Sequence, residues 1–242
     1  MNNHFDIPVE FLTDDEVAEL GKIVERLEEV SKRDENQDSF LSFVKSVWPT
    51  FIEGNHHKIY AEKLQRVAEG KLKRLIINMP PRHTKSEFAS YLFPAWLMGR
   101  NPNTKIIQAT HTAELAVGFG RKVKNLIDSE VYRDVFPELK LAADAKASGR
   151  WSTSKGGEYY AVGVGGALAG RGADLCIIDD PVSEQDALSP TALDNIYEWY
   201  TSGPRQRLQP GGSIIIVMTR WSIRDLTAKV LQKQAEGGAD NW

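Results

Sequence analysis

The segment IINMPPRHTKSE (76–87) joins a hydrophobic stretch to a short polar loop that ends in a Lys-Ser pair. A loop between a strand and a helix can wrap backbone N–H groups around phosphates, and the helix N-terminus favours negative charge. This order predicts that Lys85 reaches the β- and γ-phosphate oxygens of a nucleotide and that the Ser86 hydroxyl binds Mg²⁺. The other residues of the predicted phosphate loop are Pro81, Arg82, His83 and Thr84.

The loop departs from the P-loop template G-x-x-x-x-G-K-[ST], because its two glycine positions are occupied by Met79 and Thr84. Glycine allows close approach of the backbone and takes a positive φ without steric cost, whereas β-branched threonine resists that conformation. The segment alone therefore leaves two interpretations open. It is either a phosphate loop or a Pro-rich loop with a surface lysine at a helix start, and the downstream motifs favour the first.

A second motif, LCIIDDP (175–181), places two acids directly after four apolar residues. This is the Walker B arrangement, in which a buried strand delivers Asp179 to the sheet edge to hold the Mg²⁺ hydration shell. Asp180 would polarise the attacking water as a general base. Glutamate is more common at this second position, so the nearby Glu184 is an alternative base. The two carboxylates could also cap the turn that begins at Pro181.

The segment SIIIVMTRW (213–221) is predicted to be another buried strand, and it ends in Thr219 and Arg220. In P-loop motors of the ATPase and helicase division, a polar residue at this point senses the γ-phosphate and transmits hydrolysis to the moving parts. We therefore expect Thr219 to take part in catalysis beside Lys85 and Asp179.

Apolar stretches alternate with helical patterns along most of the chain. Buried strands that alternate with helices predict an α/β fold with a doubly wound, mainly parallel sheet of the ASCE P-loop type, flanked by helices. Ligands of such sheets gather beyond the carboxyl ends of the strands. The predicted strands are 72–78, 104–110, 158–164, 173–179 and 213–219, and the predicted helices that follow or separate them are 86–97, 112–127 and 188–200.

Residues 1–38 are predicted to form a small helical segment with a linker, and residues 39–242 the P-loop domain. Apolar residues recur in the first segment at intervals of three and four, which indicates an amphipathic helix. Thr13 and Glu16 match a capping box at its start. The polar stretch 31–39 is expected to be an exposed linker or the end of that helix.

The composition excludes several classes of protein. Charged residues make up 26% of the chain and the net charge is −3, which argues against a strongly basic DNA-coating protein. No apolar run approaches the roughly 20 residues needed to cross a bilayer, so no membrane partner is expected. The single cysteine, Cys176, excludes an internal disulfide and a multi-cysteine metal site. The opening residues lack the pattern of a signal peptide, which predicts an intracellular protein.

Together, these motifs resemble the large terminase subunit of tailed bacteriophages, the ATPase that packs DNA into proheads. The resemblance extends from about Phe40 to Leu231. The usual family form near the lysine is PPRHGKS, so Thr84 is a departure that bears on nucleotide affinity. The strings that carry the resemblance are HHKIYAEKL, RLIINMPPRHTKSEFAS, GRGADLCIIDDP and IVMTRW.

The resemblance implies roles for further residues. Arg82 corresponds to the P-loop arginine that reaches the γ-phosphate region. Arg171 lies where the family places an arginine finger for the neighbouring subunit, a contribution worth a factor of about 10³ to 10⁵ in rate. The alternative for Arg171 is a loop cation beside Asp174. His57 lies in the segment that borders the adenine, although it could equally be an ordinary helix-start residue.

The resemblance also implies cofactors and partners. The cofactors are ATP and Mg²⁺, and the chain would form a homo-oligomeric ring around double-stranded viral DNA in the host cell cytoplasm. A small terminase subunit and a portal protein are the implied protein partners. DNA contacts would be to phosphates, because a packaging motor accepts any sequence. Family members carry a C-terminal nuclease domain for which 242 residues leave no room, so no nuclease activity is expected.

Two other functions are compatible with the motifs. A nucleotide-binding switch or assembly scaffold with little turnover would suit a loop without glycines and an aspartate as the second acid. Another nucleic-acid translocase of the same P-loop division would share the three motifs. A helicase-like remodeller would need a second α/β lobe, which this length excludes. Phosphate release that depends on Lys85 separates turnover from binding alone.

Overall fold

The computed structural model describes residues 12–237 and 240–242. Residues 1–11, in which no signal peptide is expected, lie outside this part of the chain. Six strands form one sheet, and they include all five strands predicted from the sequence. The strands are β1 (Arg74–Asn78), β2 (Lys105–Thr110), β3 (Arg150–Ser152), β4 (Glu158–Gly163), β5 (Ala173–Asp179) and β6 (Leu208–Met218).

The strands lie in the order β1-β6-β5-β2-β4-β3. All neighbours are parallel except β3, which pairs antiparallel with β4 at one edge. The predicted α/β class with a mainly parallel sheet is therefore confirmed. Strands β1, β6 and β5 are adjacent and parallel. The chain segments that follow these three strands therefore emerge side by side at the carboxyl ends of the strands.

Helices cover both faces of the sheet, as expected for a doubly wound fold. The predicted helix 86–97 is divided into a π-helical turn (Glu87–Leu92) and an α-helix that follows directly. The α-helices are α1 (Asp14–Asp38), α2 (Phe40–Val47), α3 (Asn55–Ala68), α4 (Phe93–Arg100), α5 (Ala113–Ile127), α6 (Glu130–Val135), α7 (Pro190–Ser202) and α8 (Leu226–Ala235).

Strand β6 shows how the sheet separates two hydrophobic cores. Ile215 and Val217 pack into a core with the helices α2 to α6, whereas Ile214 and Ile216 pack into a second core with α7 and α8. Successive side chains of a strand point to opposite faces, so an unbroken apolar run is what a strand buried on both faces requires. The apolar runs of the sequence therefore correspond to the central strands.

Helix α1 begins with the predicted capping box, in which the Thr13 hydroxyl accepts from the Glu16 N–H and the Glu16 carboxylate accepts from the Thr13 N–H. The helix runs to Asp38, so the polar stretch after residue 30 is helix end rather than linker. Near this end the carbonyl of buried Asn36 accepts a hydrogen bond from the Trp96 indole. The apolar stripe nearer the start is exposed and comprises Val17, Leu20, Ile23, Val24, Leu27 and Val30.

The sequence patterns did not indicate β3, α6 or α8. Strand β3 and helix α6, with three and six residues, are too short to show a periodicity. Helix α8 has ten residues but buries only Leu226, Thr227 and Val230, so its apolar pattern is weak. Strand β6 starts at Leu208, five residues before the predicted position 213, because the stretch around Gly211 continues the strand with a shift in register against β5. The helices in residues 12–237 and 240–242 are each too short or too polar to span a bilayer.

Candidate functional site

The carboxyl ends of β1, β6 and β5 lie side by side. Asn78 pairs with Met218, and Asp179 pairs with Val217. The phosphate loop, the second acid and the Thr-Arg pair directly follow these three strands in the sequence. The sheet therefore places the three motifs at one edge, although up to 140 residues separate them along the chain.

Asp179 is buried and points toward the start of the helix after the loop. One carboxylate oxygen accepts a hydrogen bond from the Ser86 hydroxyl at 3.0 Å, and the other accepts one from the Ser90 hydroxyl at 2.7 Å. Burial raises the pKa of Asp179 to about 6, and the hydrogen bond from Ser90 opposes this shift. Gln108 in turn donates to the Ser90 hydroxyl at 3.1 Å. The carboxylate is thus held in one orientation beside Ser86.

Ser86 and Asp179 place a hydroxyl and a carboxylate oxygen 3.0 Å apart, and both are oxygen ligands that could hold Mg²⁺. Mg²⁺ is commonly held by one or two oxygen side chains together with substrate phosphates and water. One hydroxyl and one carboxylate suit that role. In the described residues, no group of three or more His, Cys, Asp or Glu side chains could form a protein-only metal site.

Asp180 is held between the loop lysine and β6. One carboxylate oxygen lies 2.8 Å from the Lys85 ammonium, and the other accepts the Thr219 N–H at 2.7 Å. The Asp180 backbone has a positive φ of 42°, and its N–H donates to the Val217 carbonyl at 2.8 Å. Lys85 is only 7% exposed. Both oxygens of the second acid are therefore engaged, and Lys85 has an anionic partner.

The phosphate loop takes the left-handed backbone conformation without glycine. Thr84, at the second template glycine, has φ of 61°, and Arg82 has φ of 65°. This conformation costs a residue other than glycine about 1–2 kcal/mol. The expectation that the position needs a positive φ is therefore met, and the threonine is strained there. The Thr84 hydroxyl donates to the His83 carbonyl at 2.6 Å, whereas Arg82 is exposed on the loop.

Helix α3 packs behind the loop. His57 Nε2 lies 2.8 Å from the Thr84 hydroxyl oxygen, and His57 Nδ1 accepts the Gly54 N–H at 2.9 Å. The Tyr60 hydroxyl donates to the Lys85 carbonyl at 2.8 Å. Burial lowers the pKa of His57, and the nearby His56 lowers it further. His57 is thus a helix-start residue that also contacts the loop, and both of its ring nitrogens are already hydrogen-bonded.

Thr219 and Arg220 point in different directions. The Thr219 hydroxyl donates to the Met79 carbonyl at 3.4 Å, so this residue connects the end of β6 with the start of the phosphate loop. Arg220 donates through Nε to Asp225 at 2.8 Å. Asp225 also accepts the Ala228 N–H at the start of α8. Arg220 therefore stabilises the turn before α8.

Arg171 lies near the amino-terminal end of β5, whereas Lys85 and Asp180 lie at the carboxyl ends of the strands. Arg171 precedes β5, and a strand of seven residues separates its ends by about 20 Å. Its guanidinium carbon lies 4.7 Å above the Tyr160 ring. Asp174, considered above as a partner of Arg171, instead accepts the Lys105 N–H at 2.8 Å. Within one chain, Arg171 therefore does not reach Lys85. The alternative general base, Glu184, is exposed and lies four residues after Asp180.

Three residues of the site were not singled out in the sequence. Ser90 lies four residues after Ser86, so the two hydroxyls share one face of the helical segment. Gln108 is the one amide within the otherwise apolar core of β2, and a polar residue in a buried strand signals a hydrogen-bonded role. Tyr60 lies three residues after His57 on α3, but nothing in its spacing distinguishes it from a core residue.

No protein-family model and no curated protein matches the sequence. Among solved structures, the chain is similar to the crystal structure of the HK97 bacteriophage large terminase, with a TM-score of 0.57 and 12% sequence identity. The alignment covers 83% of this chain and 42% of that chain, so this chain spans less than half of the length of that protein. At this level of identity, the similarity establishes a shared fold.

Proposed function

We propose that this chain is an ATP-hydrolysing motor domain that drives double-stranded viral DNA into a prohead. The observation that carries the proposal is the joint placement of Lys85, Ser86 and Asp179 at the edge formed by β1, β6 and β5. The Ser86 hydroxyl lies 3.0 Å from the Asp179 carboxylate, close enough for both oxygens to bind one Mg²⁺. The fold shared with the HK97 large terminase supports the assignment to DNA packaging.

On this proposal, each side chain of the cluster has one task. Lys85 binds the β- and γ-phosphate oxygens, and Ser86 with Asp179 holds Mg²⁺. Asp180 orients the attacking water after Lys85 has moved to the phosphates. Thr219 contacts both Asp180 and the loop start, so it can report the state of the γ-phosphate to β6.

The position of Arg171 favours a ring of identical subunits. Because Arg171 precedes β5 and Asp179 ends it, Arg171 as an arginine finger would act on the nucleotide of a neighbouring subunit rather than on that of its own chain. Arg82 is the alternative arginine, since it lies on the phosphate loop itself. The ring would surround double-stranded DNA and contact its phosphates. The small terminase subunit and the portal protein would be its partners in the host cell cytoplasm.

A nucleotide-binding switch with little turnover is the second candidate. The observation that favours it is the ion pair of Lys85 with Asp180 at 2.8 Å, which occupies both the phosphate ligand and the general base. The missing loop glycines and the aspartate in place of glutamate as the second acid also favour it, because both depart from the usual form of hydrolysing P-loop motors. In this case the chain would bind ATP and Mg²⁺ and signal through Thr219 without rapid hydrolysis.

Steady-state phosphate release from MgATP tests the proposal. The assay should cover a range of protein concentrations, because a ring supplies the arginine only when subunits assemble. Lys85→Ala should abolish release, and the matched control Lys140→Ala, at an exposed lysine, should leave it unchanged. Added double-stranded DNA should raise the rate. If phosphate release does not depend on Lys85 at any protein concentration, the ATPase function is excluded. Nucleotide binding without phosphate release would favour the nucleotide-binding switch.

A further inference from the structure

Thr84 has an unusual backbone for its residue type. Its φ of 61° lies in the left-handed region, where the β-branched side chain of threonine is disfavoured. A glycine could take this conformation without help. A threonine needs contacts with surrounding residues that hold it in this conformation. The residues around Thr84 supply such contacts.

The Thr84 hydroxyl belongs to a short chain of hydrogen bonds. His57 Nδ1 accepts the Gly54 N–H, so this nitrogen carries no proton and the neutral ring carries its proton on Nε2. Nε2 therefore donates to the Thr84 hydroxyl oxygen at 2.8 Å. The hydroxyl in turn donates to the His83 carbonyl at 2.6 Å. Donors and acceptors match along the whole chain.

The His57 ring cannot turn away from this position. It is 6% exposed and stacks on Phe88, with ring centres 5.2 Å apart, while Phe51 meets it edge-on at 4.8 Å. The hydrogen bond from Gly54 fixes the rotation of the ring. His57 is thus a rigid donor directed at Thr84.

A second side chain from the same helix face holds the next loop residue. Tyr60 lies three residues after His57, and its hydroxyl donates to the Lys85 carbonyl at 2.8 Å. Helix α3 therefore contacts two consecutive loop residues with two buried donors. A glycine at position 84 would offer no side chain to the first of them.

We propose that His57 is a positioning residue of the phosphate loop, which holds Thr84 in the left-handed conformation and thereby directs Lys85. A glycine would adopt this conformation freely, whereas Thr84 is held in it through the hydrogen bond between its hydroxyl and His57. The effect on nucleotide binding rests on the proposed function, whereas the coupling between His57 and Thr84 does not.

Two substitutions at His57 separate its two hydrogen bonds. The His57→Asn side chain can still accept the Gly54 N–H but is too short to reach Thr84. The His57→Gln side chain places a donor near the position of Nε2 and gives up the acceptor for Gly54. Each variant is made alone and together with Thr84→Gly. Affinity for a fluorescent ADP with Mg²⁺ and the midpoint of thermal unfolding without nucleotide are measured for all of them.

Loss of the hydrogen bond to Thr84 should weaken ADP binding about tenfold in His57→Asn, whereas His57→Gln should stay within about threefold of the parent. In the Thr84→Gly background, His57→Asn should change affinity by less than about twofold, because no hydroxyl is left to hold. The unfolding midpoint should fall by at least about 2–4 °C in His57→Asn. The fall should be smaller in the Thr84→Gly background, where only the lost packing of the ring on Phe51 and Phe88 contributes.

Equal losses in His57→Asn and His57→Gln would overturn the proposal, and so would a loss in His57→Asn that is the same in the parent and in the Thr84→Gly background. If the parent protein binds no nucleotide, the proposed function fails, and the unfolding midpoints alone then decide whether His57 and Thr84 are coupled. Additive midpoints would refute the positioning role in that case.

Discussion

The Lys85 ammonium lies 2.8 Å from a carboxylate oxygen of Asp180, so the proposed phosphate ligand and the proposed general base hold each other. The other oxygen of Asp180 accepts the Thr219 N–H, which ties the acid to the end of β6. Phosphates that enter the loop must compete with Asp180 for Lys85. Their binding would release the carboxylate at the moment when it is needed to orient water, so the ion pair would link nucleotide occupancy to catalysis.

Asp180→Asn should therefore separate binding from turnover. A neutral amide competes less well for Lys85, so nucleotide affinity should rise about two- to fivefold, in keeping with the modest strength of a partly exposed ion pair. Loss of a general base should lower phosphate release by a factor of about 10² to 10⁴. Equilibrium titration with fluorescent ADP and a steady-state phosphate assay measure the two effects.

Glu184→Gln is the matched control for this prediction. Glu184 is exposed and lies four residues after Asp180, so its substitution should change neither affinity nor turnover. If Glu184→Gln abolishes phosphate release while Asp180→Asn retains it, Glu184 is the general base.

Asp179→Asn should stabilise the metal-free protein at neutral pH. Burial raises the pKa of Asp179 from its ordinary value of 3.8 to about 6, so the folded state binds the proton more tightly than the unfolded state does. Stability therefore falls as the pH rises from about 4 to about 6 and stays lower above that range, by a margin on the order of 2–3 kcal/mol. The asparagine variant avoids this cost.

Urea unfolding at pH 5 and pH 8 in the presence of a chelator measures the effect. The advantage of Asp179→Asn over the parent should be largest at pH 8 and should shrink toward pH 5. Asp144→Asn, at an exposed aspartate, serves as the control and should show no such trend. A stability difference independent of pH would contradict the prediction, and Mg²⁺-dependent hydrolysis should be lost in Asp179→Asn throughout.

Arg171→Ala should lower phosphate release only through the neighbouring subunit. If Arg171 acts in trans, a mixture of Arg171→Ala and Asp180→Asn chains should recover activity, because some interfaces keep both groups. Each variant alone should lose a factor of about 10² or more in rate. Activity of the mixture no higher than the sum of the two separate proteins would count against the trans role and favour Arg82.

Asp225 should stabilise the fold without taking part in hydrolysis. It is fully buried, accepts from Arg220 and caps α8. Asp225→Ala should lower the free energy of unfolding by about 2–4 kcal/mol, because it removes an N-cap and leaves donors unsatisfied. Urea unfolding measures this loss.

Arg220→Ala should also reduce stability, but by less than Asp225→Ala, because the Arg220 side chain is partly exposed. A loss of hydrolysis in Arg220→Ala with unchanged stability would show that Arg220 belongs to the catalytic site.

Local patterns in the sequence account for much of the fold. Unbroken apolar runs mark β5 and most of β6 because both faces of these strands are buried, and the Lys-Ser pair marks the start of a helix after β1. The same patterns place Asp179 at the end of its strand. They fail for β3 and α6, which are too short to show a period, and for the first residues of β6, where glycines and a register shift interrupt the alternation.

The sequence by itself determined which residue types could bind phosphate and Mg²⁺, and that each follows a strand. Only the tertiary structure decided which of them meet. The insertion of β6 between β1 and β5 brings Thr219 to Asp180, and the packing of α3 behind the loop brings His57 to Thr84, 27 residues away. The tertiary structure also places Arg171 near the amino-terminal end of β5, at the ends of the strands opposite Asp179. Periodicity and propensity act over a few residues, whereas strand order and side-chain contacts depend on how the whole chain packs.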